Sequence, residues 1–372
     1  MKINSSFILI SLLVTLLVGC APSDGSDEFK QATAAYELRD LQRAKRFFEK
    51  AAKLNSSNAD AHYMLAKVNL DLGNLEEASA AINDARLVAS NAADILSLDA
   101  QIAYHLKDYA KAIEIFSTLS EDSSLSRRVR SQALVGLGII YMTENDRDKA
   151  RVQFLSSLVL ERRHNASAYY HLGLLYRDAY DYQEAASEQF EMFVRIPDAP
   201  KDKVEKVLHN FLPAINDAII RAAQEIPNAS RRDSQAAAIQ IKNAEQAQKK
   251  RQYKTALSAY TKAYQLDSLS FPAALGVARM TALDQSRKEQ EKALVAYLTA
   301  IKLRPKSTST LLEAAQIAMK LKQYLTAERL YSMAVAANPV KLDAIDGLIR
   351  AKERLPGKTK AASLYQKYRN RL

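Results

Sequence analysis

The chain has 372 residues, with 53 lysines and arginines against 42 aspartates and glutamates, a formal net charge of +11. An apolar fraction of 48% with only 9 glycines and 9 prolines excludes a disordered or collagen-like chain, and a single cysteine excludes an intrachain disulfide. Ala, Leu, Lys, Glu and Gln dominate after residue 26 and β-branched runs are scarce, so helix is expected nearly throughout, with no sheet.

The first element is an export signal. Lys2 gives a positive start, and Phe7 to Val18 forms an apolar stretch. At about 12 residues this stretch falls short of the roughly 20 needed to span a bilayer. Leu17, Val18, Gly19 and Cys20 close it, and these four residues resemble the lipobox of bacterial lipoproteins. The resemblance implies cleavage after residue 19, a signal peptide over 1–19, and a Cys20 acylated as the mature N-terminus. It also implies a chain lipid-anchored to the cell envelope, on the periplasmic face of the outer membrane because Ala21 rather than Asp follows the cysteine. One acyl chain binds only marginally, whereas two or more hold durably, so the anchor needs no help from the protein. Residues 20–25, with Pro22 and Gly25, then read as a short tether.

From residue 26 a period emerges. Small residues open a Lys/Tyr/Phe-rich segment at Ala44, Ala78, Ala112, Ala150, Ala185, Ala256, Ala293, Ala327 and Ala361. The steps are 34, 34, 38, 35, 71, 37, 34 and 34, the 71 concealing two periods. Four residues on, one helical turn away, stand Phe48, Ile82, Phe116, Phe154, Tyr260, Tyr297, Tyr331 and Tyr365. Seven residues on, Ala51, Ala85, Ser157, Ala263, Ala300 and Ala334 complete one face. Twelve on, Pro197, Pro305 and Pro339 end the helix, because proline has no amide hydrogen to donate. Twelve residues upstream, Ala32, Ala66, Ala100, Gly138, Gly173, Ala244 and Ala315 mark a first helix. Gly73-Asn74, Lys107-Asp108-Tyr109, Asn145-Asp146, Tyr180-Asp181-Tyr182 and Gln323-Tyr324 supply the turn between helices.

These residues resemble the tetratricopeptide repeat family, over 26–199 and 237–372. Leu172-Gly173 followed by Tyr176 fits its pattern closely, although tryptophan is absent and the copy near Phe271 carries a three-residue insertion. The resemblance implies an all-α, right-handed superhelical solenoid of helix-turn-helix repeats. About five repeats occupy 26–199 and about four occupy 237–372.

Between the two arrays, 200–236 keeps an apolar helical stripe and loses the period, and it reads as a degenerate repeat or a helical spacer. Charge is divided unequally: Cys20 to Ala199 carries a net −6 and 200–372 a net +16. Arg231, Arg232, Lys249, Lys250 and Arg251 form the expected basic surface. Anionic polymer or lipid fits such a surface, and nucleic acid is not expected for an exported chain.

The residues offer no chemistry. The five histidines lack metal-binding spacing, glycines form no phosphate loop, and carboxylate pairs fall at turns, so an enzyme, a metal and a cofactor are all unexpected. What remains is a surface. The resemblance places Phe29, Tyr36, Tyr63, Lys67, Gln101, Tyr104, Tyr170 and Arg177 on the groove lined by first helices, where some of them would instead fill gaps between repeats. Tyrosine joins apolar area to a polar tip at small entropic cost, which suits recognition. The expected function is a membrane-tethered scaffold that binds other envelope proteins through this groove, in pilus or secretion assembly. The alternative is an adaptor for cell-wall polymer or its hydrolases, using the basic half.

Overall fold

The computed structural model describes residues 24–178, 183–197, 199 and 233–372. Cys20, its preceding Leu17, Val18 and Gly19, and Arg231 and Arg232 lie outside these residues, as do the Tyr180-Asp181-Tyr182 turn and most of 200–236.

Eighteen helices and no strand occur among the described residues, in nine successive pairs along the chain. The first three are α1 (Ser26–Glu37) with α2 (Leu41–Leu54), α3 (Ala59–Leu72) with α4 (Leu75–Val88), and α5 (Ala93–His105) with α6 (Tyr109–Glu121). The fourth and fifth are α7 (Arg127–Thr143) with α8 (Arg147–Leu160), and α9 (Ala166–Asp178) with α10 (Gln183–Val194). The last four are α11 (Ser234–Lys249) with α12 (Tyr253–Leu266), α13 (Phe271–Thr281) with α14 (Arg287–Leu303), α15 (Thr308–Lys320) with α16 (Tyr324–Ala337), and α17 (Leu342–Glu353) with α18 (Thr359–Asn370). The chain therefore folds as an all-α repeat solenoid, as the family resemblance implies.

The turns explain why each hairpin closes after so few residues. Arg39, Gly73, Lys107, Asn145, Arg251 and Lys322 all take φ between 58° and 80°. The residue after each one donates its amide back five positions, as Asp40 does to Ala35 O, Asp108 to Ala103 O and Gln323 to Ala318 O. These bonds satisfy carbonyls that the first helix leaves open. The carboxylates of Asp40, Asp108 and Asp146 then accept from the amides of Arg43, Lys111 and Lys149, capping the second helix. Only one of these six left-handed turn positions is glycine. A longer side chain there costs about 1–2 kcal/mol in backbone strain, which the paired turn bonds offset.

Packing follows the small residues. Ala32, Ala66, Ala100, Ala244 and Ala315 on first helices are fully buried, as are Ala44, Ala78, Ala112, Ala150, Ala256, Ala293 and Ala327 on second helices. Without branches at these points, neighbouring helix backbones approach closely. The large residue one turn later crosses to the following hairpin: a Cβ added to Gly136 would meet the Phe116 ring, one on Gly276 the Tyr260 ring, and one on Gly347 the Tyr331 ring. Longer steps in the period are absorbed at helix starts, so that α7 and α14 each run to 17 residues where most others have 12 to 14. Pro305 and Pro339 stand two residues beyond the ends of α14 and α16.

The chain divides into two compact units within α7, the first ending at Ile140 and the second beginning at Tyr141. The boundaries expected near 199 and 237 flank residues that are mostly outside those described.

Candidate functional site

In the first unit, α1, α3 and α5 carry the expected recognition residues, and packing of α1 on α3 brings two of them, Tyr36 and Lys67, together. The Tyr36 hydroxyl donates to Asp71 Oδ2 at 2.7 Å, linking α1 to α3. Lys67 Nζ lies 5.4 Å from the Tyr36 ring centroid, and Arg39 stands 3.9 Å from the Asp71 carboxylate. Burial, then the bond to Asp71, pushes the Tyr36 hydroxyl up to about 12, so it stays a donor at every physiological pH. Tyr63 is half-buried among Ile82, Ile95 and Leu98, and burial followed by the charge of Asp94 raises its hydroxyl as well. Gln101 is exposed and reaches Ser97 Oγ at 3.5 Å. Tyr104 leans on Tyr109 with centroids 5.8 Å apart. Phe29 behaves differently. It meets Phe48 edge-on at 5.4 Å and packs against Ala51, Ala52 and Ala61, which makes it a filler between hairpins.

Tyr170 and Arg177 belong to the second unit. Tyr170 packs against Phe193 at 5.8 Å and His171 at 5.2 Å. Arg177 holds Asp178 at 2.5 and 2.7 Å. His171 stacks on Phe154 at 5.6 Å, and burial drives its imidazole down to about 4, which keeps it neutral. Lys249, Lys250 and Arg251 are exposed at the tip of the α11–α12 hairpin.

Three polar assemblies lie outside the expected set. Asp99, 1% exposed, sits between Arg86 at 2.6 Å and Lys111 at 2.7 Å, tying α5 to the helices on either side. Glu313 accepts from two guanidinium nitrogens of Arg279 at 2.6 and 2.8 Å and from the hydroxyl of Tyr297 at 2.9 Å.

The third assembly joins distant parts of the second unit. Arg151 on α8 is fully buried; its Nε donates to the Tyr365 hydroxyl on α18, and its terminal nitrogen lies 3.4 Å from Ser332 Oγ on α16. Lys352 on α17, 1% exposed, reaches Asp148 on α8 at 3.1 Å and Glu328 on α16 at 2.7 Å. The Tyr365 hydroxyl also approaches Asp148 at 3.3 Å, and the Arg151 guanidinium lies 5.0 Å from the Tyr365 ring centroid. Burial raises the Asp148 carboxyl, but Arg151 and Lys352 more than offset that and hold it below the usual range.

Arg151, Lys352, Asp148 and Glu328 look like solvated helix residues in sequence. Asp99 and Glu313 had a visible signal, each an acid between a leucine and an alanine on a first helix. Among the described residues no group of histidine, cysteine and carboxylate side chains is arranged to hold a metal, and no helix is long and apolar enough to cross a membrane.

Models of the tetratricopeptide repeat family match residues 35–102 and 135–202. No curated protein matches. Among solved structures the chain is similar to pilF of Pseudomonas aeruginosa, at 18% identity and a TM-score of 0.41, covering 70% of this chain and 98% of that one. It is also similar to MamA, at 17% identity, a TM-score of 0.38, and coverage of 49% and 94%. YrrB, described as a TPR protein with an unusual peptide-binding site, shares 21% identity at a TM-score of 0.35, with coverage of 48% and 88%.

Proposed function

Because the chain is a tetratricopeptide repeat protein, we propose that it serves as a non-enzymatic scaffold tethered to an envelope membrane through acylated Cys20, gathering protein partners of an assembly or secretion machine. The observation that carries this reading is the set of Tyr36, Tyr63 and Tyr104 on the successive first helices α1, α3 and α5, half-buried and interleaved with Lys67, Asp71 and Gln101. Half-buried tyrosines hold a fixed rotamer at low further entropic cost and still offer ring edges and hydroxyls to a partner. The Leu17-Val18-Gly19-Cys20 sequence supports the tether, since acyl chains supply membrane affinity and leave the repeats for protein contact.

The test has two arms. Cys20→Ala is expected to release the protein from the membrane fraction, and unchanged membrane attachment defeats the lipoprotein reading. Photo-crosslinking from Tyr63 and Tyr104 in the envelope is expected to capture discrete protein partners that a Tyr63→Ala/Tyr104→Ala chain loses. A second reading, adaptor to an acidic cell-wall polymer, is favoured by exposed Lys249, Lys250 and Arg251. It predicts sedimentation with purified peptidoglycan that fades as salt rises.

A further inference from the structure

We propose that α16, α17 and α18 form a helix-accepting surface, occupied within the same chain by α8 through Asp148 and Arg151, and that a partner helix bearing an acid and an arginine three residues apart displaces α8 from it. The repeat grammar supports an acceptor. Phe116, Tyr260 and Tyr331 each lodge against the first helix of the following hairpin. Tyr365, their counterpart in the ninth hairpin, lodges instead against α8, meeting Arg151 and Asp148 more than two hundred positions upstream. The surface that stacks hairpins elsewhere takes a non-neighbouring helix here.

Recognition is chemical as well as steric. Asp148 and Arg151 lie three apart, hence on one helix face. The acceptor answers each: Lys352 and the Tyr365 hydroxyl meet the acid, while Tyr365 and Ser332 meet the arginine. With Glu328 balancing Lys352, two acids and two bases are enclosed together. A helix lacking either member of the pair leaves a buried charge uncompensated, which is the strongest available penalty against wrong occupants. Separation is tolerable because α8 also packs against α9, so it keeps a place in the fold once it leaves the acceptor.

The experiment uses the full chain and a labelled peptide of residues 145–162. Arg151→Glu disables α8 as occupant; amide exchange in α18 is expected to accelerate about tenfold or more, with α11 to α15 and the first unit unchanged. The peptide, retaining its arginine, is expected to bind this variant about tenfold or more tighter than wild type, in which it competes with a tethered helix at high effective concentration. A peptide carrying Asp148→Lys is expected to bind neither. Tyr365→Phe, a gentler lesion that keeps the ring, is expected to speed α18 exchange in the same direction by a smaller factor. Unchanged α18 exchange in both variants, equal peptide affinities, or exchange rising equally through α11 to α15 would each overturn the proposal.

Discussion

The two units are built from the same hairpin but held together by different rules. In the first unit the ties run within a hairpin, Asp99 to Lys111, or between adjacent ones, Tyr36 to Asp71 and Asp99 to Arg86. Such a stack behaves as a sum of hairpins and nearest-neighbour interfaces, so damage at one point stays local. In the second unit Arg151 and Asp148 on α8 meet residues of α16, α17 and α18. Non-local contact makes α8 and the last two hairpins interdependent, slows their formation relative to local pairing, and carries a lesion in α8 to α16, α17 and α18. Repeat sequence decides how hairpins form, while a few charged side chains decide whether a stack of them closes.

The largest expected effect comes from opening that closure. Arg151→Met leaves Asp148 and Lys352 with an altered balance in a buried site and is expected to cost about 3–5 kcal/mol of second-unit stability, read as a lowered urea midpoint for that unit alone. Replacing all four charges together, as Asp148→Asn, Arg151→Met, Glu328→Gln and Lys352→Met, is expected to cost less than Arg151→Met by itself, because no buried charge is left unmatched. A quadruple variant that sums the single losses would dissolve the contrast between the units.

Acid sharpens the same contrast. In the folded second unit His171 accepts a proton only near pH 4, whereas unfolded histidine does so near 6.5. Between those values the unfolded chain binds more protons, so stability is complete above about pH 6.5 and falls as pH drops toward 4, by about 3 kcal/mol. Urea midpoints taken across this range are expected to decline for the second unit, with His171→Phe removing that part of the slope.

Next in size is Gly347→Ala, whose new methyl group meets the Tyr331 ring. Overpacking of this kind costs about 1–3 kcal/mol, and thermal melting of the second unit reports it. In the first unit Asp99→Asn is expected to weaken two charge-assisted bonds at a buried point for about 2 kcal/mol, with exchange accelerating in α4 to α6 and remaining unchanged in the second unit. The smallest effect is Asp108→Ala, loss of one helix cap, at about 1 kcal/mol.

Much of the fold is legible in the sequence. The period fixed nine hairpins because it records a steric demand: at Ala44, Ala78 or Ala112 a larger side chain would hold helices apart. The turn at Gly73 was equally plain. Arg39 and Arg251 were not, since long side chains rarely take positive φ and only the bonds around the turn show why they do here. Of the residues expected on the groove, Tyr36 and Lys67 do come together, whereas Phe29 packs against Phe48. The α8 assembly was illegible for a stronger reason. Asp148 and Arg151 follow a pattern shared by any exposed helix, and their partners lie on helices with no periodic relation to them.

One consequence concerns how such a molecule can change over generations. Each turn completes its own backbone bonding, from Asp40 to Ala35 and from Asp108 to Ala103, so duplication or deletion of a hairpin near residue 60 or 90 leaves no broken ladder behind. The first unit is therefore free to lengthen or shorten. Between α8 and α18 that freedom ends, because an added hairpin would carry Tyr365 away from Arg151. The α8 assembly acts as a gauge of repeat number, and gene-length drift should accumulate on one side of it and be purged on the other.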